Sequence, residues 1–398
     1  MRLREAADAA DNTGQRKVDR VGGMRWSRFL TACSLSSFPL NVTKEFPMKA
    51  MILAAGVGSR LDPLTRNVPK PLVPILNRPV MEYLIELLKK HGFNEIMVNL
   101  HYLGEHIEQY FGDGSRWGVK IFWSHEDQLW GDAGSLKRVE DFFKDDTFIV
   151  IGGDDLTDMD LTKLVKTHRE KNALATIALS LVDDPSEYGI VLMNEDSRIT
   201  RFLEKPKGEI IFSNTANTGV YIFEPEIFEL IPRGTFYLFG KQVFPLLLEQ
   251  RLPLYGHLTA AYWKDVGNLK IYQQTHLDML AGRVDAKLPL TEVKKYVWMG
   301  ENVEIDPTAE IGYPVAIGNN SRILAGAKVL ENTVIGNNCA VEEGATVKDS
   351  ILWDGATVMR HTHLERCVVG RDCKVKTDAA IFDGIIVNPQ RPENPVVK

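Results

Sequence analysis

The chain has 398 residues, enough for two domains that each bury a core. A formal net charge of −6 with ordinary apolar and charged content describes a globular protein and argues against nucleic acid as a main partner. No apolar run approaches a membrane span, and Cys33, Cys339, Cys367 and Cys373 lack metal-ligand spacing, so free thiols and a cytoplasmic location are expected.

Residues 1–47 mix Arg, Asp, Ser and Thr without a sustained period, which predicts a disordered tail or an upstream extension. Leu30-Thr31-Ala32-Cys33 has the shape of a lipoprotein cleavage box, but Trp26-Ser27-Arg28-Phe29 before it is no apolar signal core. Met48 directly precedes the first strand and is read as the natural start.

From Met48 strands and helices alternate. Strands are predicted at 49–55, 95–99, 119–125, 148–151 and 175–181, and helices at 80–91, 103–111, 134–143 and 161–171. This alternation predicts an α/β, Rossmann-like domain over 48–284 with a mostly parallel sheet covered on both faces. Ligands of such sheets bind beyond the carboxyl ends of the strands, so the residues after each strand are the candidates for chemistry.

The first strand ends in Gly56-Val57-Gly58-Ser59-Arg60-Leu61, followed by Pro63-Leu64-Thr65 and Pro69-Lys70-Pro71-Leu72. Glycines after a strand let backbone N–H groups approach an anion, and one fixed guanidinium and one fixed ammonium complete a polyphosphate holder. The P-loop pattern is absent, and Leu61 stands where a dinucleotide fingerprint needs its third glycine. Gly152-Gly153-Asp154-Asp155 ends the 148–151 strand, where a carboxylate is either a magnesium ligand or a turn acid. Glu126 to Leu136, EDQLWGDAGSL, reads equally as a ligand loop or a glycine turn into a capped helix. Further on come Tyr188-Gly189, Glu204-Lys205-Pro206, Asn217-Thr218-Gly219 and Trp263-Lys264-Asp265-Val266-Gly267. The 268–284 segment is predicted as a helix leading out of the domain, and 285–296 as a polar linker.

Taken together these strings resemble the nucleotide-diphosphate-sugar pyrophosphorylases, the sugar-1-phosphate nucleotidyltransferases. The resemblance implies nucleotide binding by Ala54, Ala55, Gly56, Gly58, Ser59, Glu126, Gly131 and Gly153, with Arg60 and Lys70 acting on the phosphates. It implies Mg²⁺ on Asp154 and Asp265, with Asp155 read as a neighbour in preference to a ligand. Gly189, Glu204, Lys205 and Asn217 are implied for the sugar phosphate, with Lys205 also catalytic. Asp132 stands where the family carries threonine and Ala55 where it often carries glycine, and the first of these leaves base identity open. The stretch Phe239–Pro245 is a looser match, because the acids that usually flank its lysine are missing.

Beyond the linker, aliphatic residues recur every sixth place from Ile305 through Ile311, Ile317, Ile323, Val329, Ile335 and Val341 to Val347. The frame slips by one to Leu352, Val358 and Leu364, then again to Val369, Val375 and Ile381. A period of six predicts a parallel β-helix over 297–385, with 386–398 as a tail. The pattern resembles the left-handed hexapeptide-repeat helix, which implies a scaffold or a homo-oligomer contact. His361 and His363 raise the alternative of acyl transfer, but no acyl-binding loop accompanies them.

The implied substrates are an NTP and a sugar 1-phosphate, as in polysaccharide-precursor synthesis, with no membrane or nucleic-acid partner. Two-domain proteins of this kind most resemble mannose-1-phosphate guanylyltransferases, with glucose-1-phosphate thymidylyltransferases and uridylyltransferases next. A catalytically silent nucleotide-sugar-binding regulatory subunit is the alternative of another class.

Overall fold

The computed structural model describes residues 48–206 and 211–389; the sequence readings for 1–47, Cys33 included, and for the chain from 390 lie outside the described residues. Four parallel strands form the heart of the first domain, in the order Lys120–His125, Phe93–Leu100, Met48–Leu53 and Phe148–Gly152. Met51, Ile52, Ile96, Val98, Ile149 and Ile151 are buried, as strands covered on both faces require. The long Thr215–Phe223 strand enters antiparallel beside Phe148–Gly152 and bridges to the Ala175–Leu181 and Gly189–Met193 strands. Its register shifts between Asn217 and Tyr221, where Gly219 takes a φ of 79°. The strand thus splits at the edge where the candidate sugar residues lie.

Several sequence boundaries move for physical reasons. The predicted 134–143 helix is two pieces, Asp132–Arg138 and Glu140–Phe143, broken at Val139. The break turns Phe142 and Phe143 into an aromatic cluster, with Phe143 4.6 Å from Phe148 and Phe142 5.0 Å from Phe122. The closing helix runs Leu269–Leu280, starting one residue later and ending sooner than predicted. Asn268 caps it by accepting the Ile271 N–H at 2.9 Å, and Gly282 in the left-handed region ends it. Part of the predicted polar linker, Thr291–Lys294, is a strand paired antiparallel with Val297–Met299.

The C-terminal repeat winds into three parallel sheets, one per side of a triangular coil, consistent with a left-handed β-helix. Ile317 lies over Ile335, eighteen residues on, whereas Val334 lies over Ile351, seventeen on, so each slip in the sequence frame is one shortened coil. The aliphatics of the period fill the interior. Corners at Asn302, Asn320 and Asn338 adopt positive φ, which asparagine tolerates well, and their amides form a ladder (3.1 and 3.4 Å).

One outer face of the β-helix packs on its own first domain. Ala316, Val334, Ile351, Trp353 and Val368 share a buried cluster with Leu61, Ile75, Leu76, Val80 and Tyr272. Trp353 Nε1–H donates to the Tyr272 hydroxyl (2.8 Å), which donates to the Pro74 carbonyl (2.9 Å). The Asn77 amide donates to the Ile335 carbonyl at 2.9 Å.

His276 fixes the short hairpin in which Pro74–Ile75 pairs antiparallel with Arg78–Pro79. Its ring lies between the Leu76 N–H (3.4 Å) and the Pro74 carbonyl (3.2 Å), an acceptor and a donor role that only the neutral ring fills. Burial lowers its pKa to about 3. The unfolded chain takes up this proton near pH ~6.5 and the native chain does not, so stability falls as pH drops below that value. The expected loss is up to about 1.4 kcal/mol per pH unit between there and the native pKa. Unfolding free energies of the wild type and His276→Gln at several pH values check this. The variant should show a shallower acid slope, and equal slopes would exclude His276 as the source.

Candidate active site

The Met48–Leu53 and Phe148–Gly152 strands end side by side, and the Gly153 N–H bonds the Leu53 carbonyl at 2.9 Å. Just beyond, Asp155–Thr157 pairs antiparallel with Trp263–Asp265, setting Asp155 opposite Asp265. Residues more than a hundred positions apart therefore meet at one edge. Carboxylate oxygens of Asp154, Asp155 and Asp265 all lie within 4.8 Å of one another. Asp155, read from the sequence as a neighbour of the two ligands, is brought into the group by this short antiparallel pairing.

Two cations lean on this trio. Lys70, buried and set between two prolines, pairs through Nζ with Asp154 and with Asp265 Oδ1, the latter at 3.0 Å. Arg60 Nη2 reaches Asp265 Oδ2 at 3.3 Å, and Arg60 Nη1 lies 3.9 Å from Glu187. Burial pushes the Asp154 carboxyl up despite Lys70, and burial with two acidic neighbours raises Asp155 well above its ordinary value. Burial also opposes ionisation of Asp265, but Lys70 and Arg60 outweigh it and hold this carboxyl below its usual range. Three carboxylates sharing one buried ammonium and one half-exposed guanidinium form a site that favours a further cation, and their oxygens are the donor type for a hard divalent ion.

A cleft of about 410 Å³ opens beside the trio. It is lined by Ala54, Ala55, Gly56, Lys70, Glu126, Gly131 and Asp154 from the sequence reading, by Leu129 and Asp132 from the 126–136 string, and by Asn99 and Phe236, which that reading missed. Asn99 ties the wall together. Its Oδ1 accepts the Ala54 N–H (2.9 Å) and its amide donates to Glu126 Oε1 (3.0 Å). The Ala54 amide is therefore engaged and serves as wall, not as an anion donor. Glu126 Oε2 is buried without a partner among the described residues. In the sequence the only trace of this pair is an asparagine inside the apolar run 96–100, a polar group that burial obliges to find partners.

Gly58, Ser59 and Gly153 stand outside the cleft lining. Gly58 takes a φ of 70°, its carbonyl accepts the Thr65 hydroxyl (2.9 Å), and an added Cβ would lie 3.3 Å from Lys70 Cβ. It holds the turn that carries Arg60 past Lys70. Ser59 is exposed at the turn's tip.

The candidate sugar residues lie on the neighbouring ribbon. Gly189 pairs directly with Glu204, and a Cβ there would come 2.8 Å from Glu204 Oε2. Burial raises the Glu204 pKa, with Lys205 and Lys241 opposing. Lys205 is exposed and holds a φ of 44°, with its N–H bonded to the Tyr188 carbonyl at 3.1 Å. Asn217 spends its amide locally: its Oδ1 accepts the Gly219 N–H and its Nδ2 donates to the Tyr221 hydroxyl, both at 2.9 Å. It shapes the strand split beside Asp155.

Comparison with known proteins follows the same division of the chain. The family model described as nucleotidyl transferase matches residues 49–282, and that of the EIF2B subunit epsilon LbH domain matches residues 294–391. A Synechocystis UTP–glucose-1-phosphate uridylyltransferase is 45% identical over 285 residues, 68% of this chain and 74% of the relative. The Danio rerio mannose-1-phosphate guanylyltransferase catalytic subunit beta is 36% identical over 270 residues, 67% of this chain and 73% of the relative. A solved Bacillus anthracis structure, described as a glucose-1-phosphate thymidylyltransferase in complex with a sucrose, superposes with a TM-score of 0.52 at 28% identity. That match covers 58% of this chain and 94% of the other. Among the described residues no helix is long and apolar enough to cross a membrane.

Proposed function

Because the chain belongs to the nucleotidyl transferase family and is a sugar-1-phosphate nucleotidyltransferase, we propose that it transfers a uridylyl group from UTP to glucose 1-phosphate. The carrying observation is the acidic trio, with Lys70 and Arg60 upon it, at the lip of a cleft that opens from the first strand's glycine turn. The choice of UTP rests on the 45% identical relative and on Glu126, whose one unpartnered oxygen suits the single N3–H of uracil. Guanylyl transfer to mannose 1-phosphate, the first sequence-based expectation, is the second reading. It is supported by several relatives of that name at 32–36% identity.

In this reaction an oxygen of the sugar phosphate forms a bond to the α-phosphorus, the bond from that phosphorus to the bridging oxygen breaks, and pyrophosphate leaves. The attacking oxygen is already anionic, so no general base is needed, and positioning and charge dominate. Lys205 holds the sugar phosphate. Glu204 and the Gly189 backbone line the sugar side, with Asn217 shaping it. Asp154 and Asp265 would hold Mg²⁺, with Asp155 beside them, and the ion would supply charge neutralisation for the phosphates. Arg60 and the glycine turn receive the departing pyrophosphate.

A grid of NTPs against sugar 1-phosphates with Mg²⁺, read as pyrophosphate release, tests this. The highest kcat/KM is expected for UTP with glucose 1-phosphate. A maximum at GTP with mannose 1-phosphate selects the second reading, and silence across the grid rejects both in favour of a nucleotide-sugar-binding regulatory protein.

A further inference from the structure

Two loops that the sequence keeps a hundred residues apart are stitched together along the cleft. The Tyr237 N–H bonds the Trp130 carbonyl (2.9 Å), the Gly134 N–H bonds the Tyr237 carbonyl (3.1 Å), and the Phe239 N–H bonds Asp132 Oδ1 (2.7 Å). Asp132 Oδ1 also accepts the Ala133 N–H at 2.7 Å. The approach is close enough that a Cβ on Gly134 would lie 2.7 Å from the Thr235 carbonyl oxygen. Gly131, at a φ of 75°, makes the turn on which the segment rests.

The segment so held presents Phe236 to the cleft. Phe236 is 53% exposed, and Leu129, in the same wall, is 44% exposed. Large apolar groups left open in a cleft that also contains the unpartnered Glu126 oxygen form a surface for a flat, partly polar ligand. A nucleobase has that chemistry: a face that stacks on an aromatic ring and an N–H edge for a carboxylate.

We propose that Phe236 is a specificity-determining residue whose ring receives the nucleobase, and that Asp132 is a positioning residue that pins the Thr235–Phe239 segment to hold it there. This rests on the reading that the cleft takes an NTP, and it assigns a role to the aspartate that replaces the family's threonine. A plain alternative is that Asp132 only favours the start of the Asp132–Arg138 helix, as an acid in a first turn does.

The test uses the full chain, with UTP affinity measured by calorimetry in the absence of sugar phosphate and turnover measured separately. Phe236→Ala should weaken UTP binding by about tenfold, the scale of losing one base–aromatic stack, and leave the KM for sugar 1-phosphate unchanged. Asp132→Ala should give the same weakening, and Asp132→Asn, which keeps an acceptor oxygen, should restore binding. UTP affinity within about twofold of wild type in Phe236→Ala overturns the proposal. A lowered melting temperature with unchanged UTP affinity in Asp132→Ala overturns the positioning role. Wild-type binding of UTP without turnover would count against the proposed reaction, while the variants would still decide this one.

Discussion

Asp265→Asn is expected to lower kcat by about 10²–10³ and to raise the Mg²⁺ concentration needed for half-maximal rate. The substitution keeps the side chain's size and one acceptor, so only charge and one ligand oxygen are removed. Asp265 is the junction of the site: one oxygen meets Lys70 (3.0 Å) and the other Arg60 (3.3 Å), and the ribbon sets it across from Asp155. Its loss releases both cations from their register. Stability should fall modestly at neutral pH, because Lys70 and Arg60 hold the Asp265 carboxyl below its usual range and its charge is therefore net stabilising in the folded chain. Melting temperature, kcat and the Mg²⁺ dependence of rate separate these effects. Near-normal turnover with an unchanged Mg²⁺ requirement would remove Asp265 from the ligand set, and a collapse of the fold would make it a structural ion-pair partner instead.

The parts legible in the sequence were those whose physics is local. A glycine turn after a buried strand, a lysine between two prolines and an aspartate at a strand end are short strings, and Arg60, Lys70, Asp154 and Asp265 do converge. The β-helix was legible because a six-residue period must place one aliphatic inside per side, and even its slips register as shortened coils. What was missed depends on distant pairing. Asn99 carries no motif and meets Glu126 because their strand ends are neighbours in the sheet. Asp155 joins the trio because a three-residue strand finds Trp263–Asp265. Phe236 reaches the cleft only through Asp132 and the backbone of Tyr237. The buried face of the β-helix did leave a trace: Val315-Ala316-Ile317 and Thr333-Val334-Ile335 lack a solvent-facing polar residue at the middle place, as strands covered on both sides do.

Lys205→Gly separates charge from backbone on the sugar side. Lys205 holds a φ of 44°, a conformation that for a non-glycine residue is strained by about 1–3 kcal/mol and that persists where the surroundings impose it. Here they include the Tyr188 carbonyl, which accepts the Lys205 N–H at 3.1 Å, and the Glu204–Gly189 pair beside it. Glycine adopts this conformation without strain, so the variant should melt no lower than wild type. Its loss is the ammonium, the charge placed to hold the sugar phosphate against the α-phosphorus, and kcat/KM for sugar 1-phosphate should fall by at least about 10². Nucleotide affinity should stay near wild type, since Lys205 lies outside the cleft lined by Ala54, Gly56 and Glu126. Lys205→Arg keeps the charge and the strain, and should recover part of the activity without the gain in stability. Full activity in Lys205→Gly would mean that the strained turn holds the ribbon's shape alone and that the sugar phosphate is held elsewhere. A loss of nucleotide affinity equal to the loss in kcat/KM would move Lys205 to the nucleotide side of the site.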